Sequence, residues 1–494
     1  MKMPGAFSRT PRDFSSSRVG WLAICCKRGM ATRFVNIDRD TALLLPPDLR
    51  DWVPANHLVH FIIDAVERLD LREVKVNTRG TGDAQYPPSL LLALLVYSYA
   101  TGVFGSRRIE QSTYDNVAVR LLTADTHPDH DTLCTFRREN KPLFTASFVQ
   151  VLELAQELKL AQFGQITVSA DGTKMAANAS KHSAVSYAHA GKAIEQLELE
   201  VEQLLAKAEQ ADATPLQDGL SIPDEIVRRQ ERKAALEKAR AEIEVRAHAR
   251  YAAERVEYEK KMTARQARID DGEKPRGKVP TPPSPEPQPK DQYNFTDAES
   301  RIMKTGGGFE QCYNAQAVVE VESRLIVGER VSQAANDKQE LVPTVAAIAP
   351  AVGPVAEVLV DSGFYSEQAV QKIEQTAAGT PTGTTVYAAV EKTSHHRTVA
   401  DLEKKPDPVA PPPEASLAEK MRHRLQTAEG KAVYKLRQQT VEPVFGIIKS
   451  AMGFRQFLLR GLSKVSTEWT LVCLAYNVRR LHTLDLARNG VAMA

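Results

Sequence analysis

Cysteine is scarce in this 494-residue chain, and its spacing excludes more than its number does. Cys25, Cys26, Cys134, Cys312 and Cys473 include no C-x-x-C pair, and no His-rich tract stands at zinc spacing. That argues against a structural zinc site or a secreted disulfide framework, and for free thiols in a reducing, cytoplasmic setting. Long apolar runs are also missing. Leu90 to Val96 is the most apolar stretch, far short of the roughly 20 residues that cross a bilayer, so no membrane partner is expected. Trp21 to Cys26 is too short, between Arg18 and Lys27, to read as a signal peptide. The third absence is net charge. Lys and Arg number 64 against 62 Asp and Glu, a formal charge of +2, so any nucleic-acid contact must rest on local basic clusters. Four qualify: Arg107-Arg108, Arg137-Arg138, the 228–278 segment, and Arg455 through Lys464.

What is present divides the chain by pattern. Residues 1–32 read as a disordered extension, with ordered protein starting near Met30. Residues 33–160 read as an all-helical amino-terminal domain. His57 to Leu69 places Leu58, Phe61, Ile62, Val66 and Leu69 on one stripe. Pro87-Pro88 precede an apolar helix from Ser89, and Gly102 and Gly105 break it. A helix capped by Asp131 carries Phe136, Arg137 and Arg138, and another covers Leu143 to Leu158.

At Phe163 the period changes. Gln165 to Asp171 is a short β-rich run ending in an acid. Residues 183–279 switch to long charged helices. Ile194, Leu197, Val201, Leu204 and Ala208 form an a/d seam, and Pro223-Asp224-Glu225 opens a second helix to about Arg268. This predicts an antiparallel helical hairpin of coiled-coil type, closed by a proline-rich linker at 280–290. It would serve as a solvated coiled coil, a dimer contact or a clamp. Strands are expected at Tyr313–Val321, Arg324–Val331, Glu357–Asp361 and Thr385–Val390, with a helix near Lys338–Ile348 and a second insertion or linker at 391–430. Three consecutive strands followed by alternation predict an α/β fold. Its core is a ribonuclease-H-like mixed sheet, residues 161–182 and 291–485, split by the hairpin and preceded by the helical domain.

Two acids stand out at expected strand ends, Asp171 and Asp361, each followed closely by glycine in Asp171-Gly172 and Asp361-Ser362-Gly363. Carboxylates there can hold hard divalent ions for phosphoryl transfer. The bland alternative is a turn former or helix cap.

Their surroundings carry more. Val168-Ser169-Ala170-Asp171-Gly172-Thr173-Lys174, then Gly307-Gly308-Phe309 through Tyr313-Asn314-Ala315-Gln316, then Val360-Asp361-Ser362-Gly363-Phe364-Tyr365 occur in order. Tyr434, Arg437, Glu442 and Lys449 follow, the last two within Thr440-Val441-Glu442-Pro443-Val444-Phe445-Gly446-Ile447-Ile448-Lys449. This series resembles the DDE transposases of bacterial insertion sequences, in the branch with a helical amino-terminal domain and a Tyr-Arg-Glu-Lys signature. It covers roughly residues 33 to 485, apart from the hairpin interior and the connectors.

The resemblance implies a nucleoid-associated DNA transposase that cleaves element ends and transfers strands into target DNA as a homodimer. Two Mg²⁺ or Mn²⁺ ions would sit on Asp171, Asp361 and Glu442, and Tyr434, Arg437 and Lys449 would meet DNA phosphates. One departure is visible: four residues, not three, separate Arg437 from Glu442, which on a continuous helix turns Arg437 by about 100° and puts Gln438 in its place. Pro443 would place Glu442 at a helix start. Arg137 and Arg138 are further candidates for DNA contact, against a solvated basic face. The glycine run at Gly306–Gly308 is either a hinge or a close approach to a DNA backbone. A nuclease without strand transfer and a catalytically inactive DNA-binding protein compete with the transposase reading.

Overall fold

The computed structural model describes residues 48–72, 74–75, 85–209, 221–272, 278–391 and 407–490; the expected extension before Met30 lies outside them. The helical region opens with α1 (Leu58–Glu67) and α2 (Pro88–Ala100), where Pro88 occupies the first turn, the position at which its missing N–H costs nothing. Every residue from Leu91 to Ala100 is buried, so α2 is apolar all round rather than amphipathic. α3 (Ser106–Asp115), α4 (Val117–Leu122), α5 (His130–Glu139) and α6 (Lys141–Glu157) follow. The cap of α5 is Asp129, two residues before the expected Asp131: its carboxylate accepts the Thr132 N–H at 2.6 Å.

The sheet is built from β1 (Ile166–Ala176), β4 (Arg301–Thr305), β5 (Gly308–Glu320), β6 (Ile326–Ser332), β7 (Val355–Val360) and β8 (Thr385–Ala388). Its spatial order is β4-β5-β1-β7-β8, with β6 beside β4 on the outer edge of the long strand β5. β1 runs antiparallel to β5 and parallel to β7, and β7 is parallel to β8. The strands sit close to their expected places, with one correction. β1 does not stop at Asp171 but continues five residues to Ala176, so Asp171 lies mid-strand and Gly172 is a strand residue rather than a turn.

Between β1 and β4 lies the hairpin, α7 (Tyr187–Glu209) and α8 (Ile222–Asp270), on a small two-stranded sheet of β2 (Ala184–Ser186) and β3 (Gln292–Asn294). Ser221 caps α8, and Pro223 sits in its first turn. The seam is buried only at its base, where Ile194 and Leu197 meet Leu236 and Ala239 in a satellite core. Val201 and Leu204 are half-buried, and Ala208 is exposed. Arg250 pairs with Asp291 at 2.9 Å, so the connector must retrace the last 20 residues of α8, about 30 Å at 1.5 Å per residue. Pro280, Pro283 and Pro287 are half-buried between exposed neighbours, close to the three-residue repeat of a polyproline helix.

Two helices complete the core on the carboxyl-terminal side: α12 (Ala428–Gly446), preceded by α11 (Leu417–Gln426) and by the short α9 (Leu341–Val345) and α10 (Glu367–Glu374), and α13 (Leu462–Arg488). α13 is buried over most of its length and packs on α2, α6 and β6, so the helical region and the sheet share one hydrophobic core. Among the described residues no helix is long and apolar enough to cross a membrane.

Candidate active site

Register brings the two strand acids together. In the parallel pairing of β1 with β7, Ser169 faces Leu359. The pairing ends there, and the same register carried two residues further sets Asp171 beside Asp361, just past the end of β7, close enough for the charge of Asp361 to act on Asp171. Asp361 opens the turn and accepts the Gly363 N–H at 2.8 Å, while Asp171 accepts the Gly172 N–H at 2.8 Å. Burial, then the charge of Asp361, pushes the Asp171 carboxyl up to about 7; its own backbone hydrogen bond and Arg437 only partly oppose this. A buried carboxyl whose ionisation is opposed by a neighbouring carboxylate is donor chemistry that suits a hard divalent cation.

A pH dependence follows. In metal-free protein Asp171 holds a proton up to about pH 7, whereas in the unfolded chain it releases it near 3.8. Between these values the folded state binds more protons, so stability falls as pH rises through that window. In EDTA, the drop in melting temperature between pH 5 and pH 8 is expected to shrink in Asp171→Asn; an unchanged drop would refute the assignment.

α12 lies across β1, β5 and β7. It corrects the expectation for Glu442, which stands inside this helix with Pro443 rather than at a helix start. Pro443 cannot donate to the Gln439 carbonyl. Four residues later the helix widens into a π turn at Ile447–Ala451, where the Met452 N–H reaches back to the Ile447 carbonyl at 2.8 Å. The Tyr434 hydroxyl donates to the Val360 carbonyl at 3.1 Å, next to Asp361. Arg437 is turned inward with 13% of its side chain exposed, while Gln438 is exposed, so the extra residue does not displace the arginine. Its guanidinium lies 6.0 Å over the Tyr434 ring and pairs with Glu442 at 3.3 Å. The Glu442 side chain is 52% exposed and held by that pair. Lys449 donates to Thr173 on β1, and burial lowers its pKa. Among the described residues no three His, Cys, Asp or Glu side chains gather closely enough to hold one metal ion. The structure thus joins Asp171 to Asp361 and sets Tyr434, Arg437 and Lys449 beside them, but leaves Glu442 on Arg437.

Behind this face is a polar cluster that the sequence reading missed. Strand alternation sends Gly172 and Lys174 to the opposite side from Asp171 and Thr173. There Asp337 accepts the side-chain amides of Asn314 at 2.6 Å and Gln316 at 2.7 Å, with the Lys174 ammonium at 3.7 Å. Asn314, Gln316 and Lys174 all belong to the motifs quoted above; Asp337 had no such signal. A Cβ on Gly172 would fall 2.3 Å from the Gln316 amide nitrogen and 2.6 Å from Asp337. Gly172→Ala is therefore expected to cost about 1–3 kcal/mol in a denaturation titration and to lower activity by moving Asp171; a neutral effect would show that the cluster yields freely.

The two basic-helix candidates separate. Arg138 is 57% exposed and, among the described residues, bonds only to its neighbours Thr135 and Glu139. Arg137 corrects the expectation. It is 6% exposed and donates to the Tyr99 hydroxyl at 2.9 Å and the Ser106 hydroxyl at 3.3 Å, which leaves no path for a phosphate.

Comparison with known families places a class around this geometry. Residues 403–482, which include Tyr434, Arg437, Glu442 and Lys449, match the family described as a transposase DDE domain. Residues 47–139 match a second family, described as a transposase domain. The two matches indicate a DDE-type transposase of the bacterial insertion-sequence kind. Asp171 and Asp361 lie outside both matched segments. No curated protein and no solved structure matches the chain.

Proposed function

We propose that this chain is a DNA transposase that cuts at the ends of its element and joins the freed 3′-ends to target DNA. The observation that carries this reading is the Asp171–Asp361 pair at the parting of β1 and β7, with the Tyr434–Lys449 segment laid beside it. The order β6-β5-β1-β7-β8, antiparallel on one side of β1 and parallel on the other, supports a ribonuclease-H-like core.

Asp171 and Asp361 are the residues that would hold Mg²⁺ or Mn²⁺, and Glu442 is the third carboxylate of a two-ion site. Ions held by these residues would supply Lewis-acid chemistry, lowering the pKa of an attacking hydroxyl and offsetting charge on the leaving 3′-oxygen. Arg437 and Lys449 supply positive charge for DNA phosphates. Glu442 becomes free to turn toward the acid pair when Arg437 exchanges its carboxylate for a phosphate. Tyr434 fixes α12 against the end of β7. Handling two element ends at once calls for a homodimer on DNA.

The test is a cleavage and joining assay with element-end DNA, target plasmid and Mg²⁺ or Mn²⁺. Cut ends that become covalently joined to plasmid support the proposal. Cleavage without joining would make the protein a nuclease, and DNA binding without either would make it an inactive derivative.

A further inference from the structure

Of the four basic clusters, the one beyond the π turn is built with most constraint. Residues Gly453 to Gly461 form a strap bounded by two glycines in the left-handed region, with φ of 79° and 84°. Phe454 and Phe457 are fully buried anchors. The strap lies against the end of β1. Gln456 bridges to Ala176, the Phe457 N–H donates to the Ala176 carbonyl at 2.9 Å, and the Asn178 side chain donates to the Leu458 carbonyl at 2.7 Å. The Phe454 N–H donates to the Ile448 carbonyl at 2.9 Å, and carboxylates take the donors at the far end of the strap. Glu468 accepts the N–H groups of Leu458 and Leu459 at 2.9 and 3.0 Å, Asp297 accepts that of Gly461 at 3.3 Å, and Glu299 accepts that of Leu462 at 2.7 Å.

The acids are thus spent on the backbone, and the cations face outward. Arg455 and Arg460 are exposed, each tethered through Nε to one carbonyl, that of Lys449 and that of Asn178, both at 3.0 Å. Lys464 is exposed just beyond. Among the described residues none of the three is in an ion pair. Fixed guanidinium groups of this kind are suited to phosphate oxygens, which they meet in a bidentate fashion without paying to order the side chain.

We infer that this strap is a docking surface for the phosphate backbone of duplex DNA, engaged beside the catalytic pair. The inference rests on the DNA-processing reading above. Five residues of β1 separate Asp171 from Ala176, roughly 17 Å at 3.3 Å per residue, or about five steps along one strand at 3.4 Å each. The strap therefore grips DNA flanking the reacting phosphate, and contributes register rather than chemistry.

The experiment uses the full chain and a fluorescein-labelled duplex of random sequence, with affinity measured across a salt series. Each phosphate contact contributes about 0.9 to the slope of log affinity against log salt, so Arg455→Gln/Arg460→Gln is expected to lower the slope by about 2. Lys290→Gln/Lys372→Gln removes the same charge from exposed positions outside the four basic clusters and is expected to leave it unchanged. An unchanged slope in the strap variant, or an equal fall in both variants, overturns the strap assignment and leaves the function reading standing. Failure of the wild-type protein to bind any duplex overturns both.

Discussion

Replacing Asp361 by asparagine is expected to lower metal-dependent end cleavage by about three orders of magnitude, some 4 kcal/mol of barrier, while duplex affinity stays near that of the wild type. Asparagine keeps the size of the side chain and its bond from the Gly363 N–H, so the turn after β7 is preserved and only the charge is lost. The same change removes the second-largest cause of the raised Asp171 pKa. Asp361→Asn should therefore make the metal-free protein slightly more stable at neutral pH, and should abolish the rise in melting temperature that Mg²⁺ gives the wild type. Those two shifts in opposite senses distinguish loss of a metal-binding pair from general damage. Wild-type cleavage in Asp361→Asn would remove the pair from the mechanism.

How far the sequence announced this site depends on the residue. Glu357 to Asp361 read as a strand because it ends an apolar run closed by Asp-Ser-Gly, and the strand found there is Val355–Val360. Asp171 was visible as an acid after a β-rich run, but its mid-strand place was not. Gly172-Thr173-Lys174 resembles a turn locally and is held extended by the long partner β5, reached only after the whole hairpin has intervened. Pairing between distant segments leaves no trace in local periodicity. Asp337 was illegible for the same reason, since only the fold brings its loop over Gly172.

Arg137 is different, because its signal was present. Leu133, Phe136, Arg137 and Asn140 follow the spacing i, i+3, i+4, i+7 and are all buried. Arg137 thus shares a stripe with Leu133 and Phe136, whereas its neighbour Arg138 does not. A charge on the apolar stripe of a helix calls for a buried partner, and reading the doublet as a charge cluster overlooked the phase.

That partner system supports the second large effect. The Tyr99 hydroxyl receives Arg137 and donates to Glu468 at 3.3 Å, and Glu468, fully buried, also holds the strap through Leu458 and Leu459. One chain of contacts thus runs from α5 through α2 and α13 to the strap. Glu468→Ala would leave Arg137 as an uncompensated interior charge and two backbone N–H groups without an acceptor, at a cost of about 3–5 kcal/mol in a urea titration. Glu468→Gln keeps an acceptor for the strap and should lose less. Since the cost arises mainly from the stranded partner, Arg137→Met/Glu468→Leu should be less destabilised than the sum of its single variants, by about 1–3 kcal/mol in a double-mutant cycle. Strict additivity would mean that the arginine and the glutamate stabilise the interior independently, with Glu468 acting only through the strap donors it accepts.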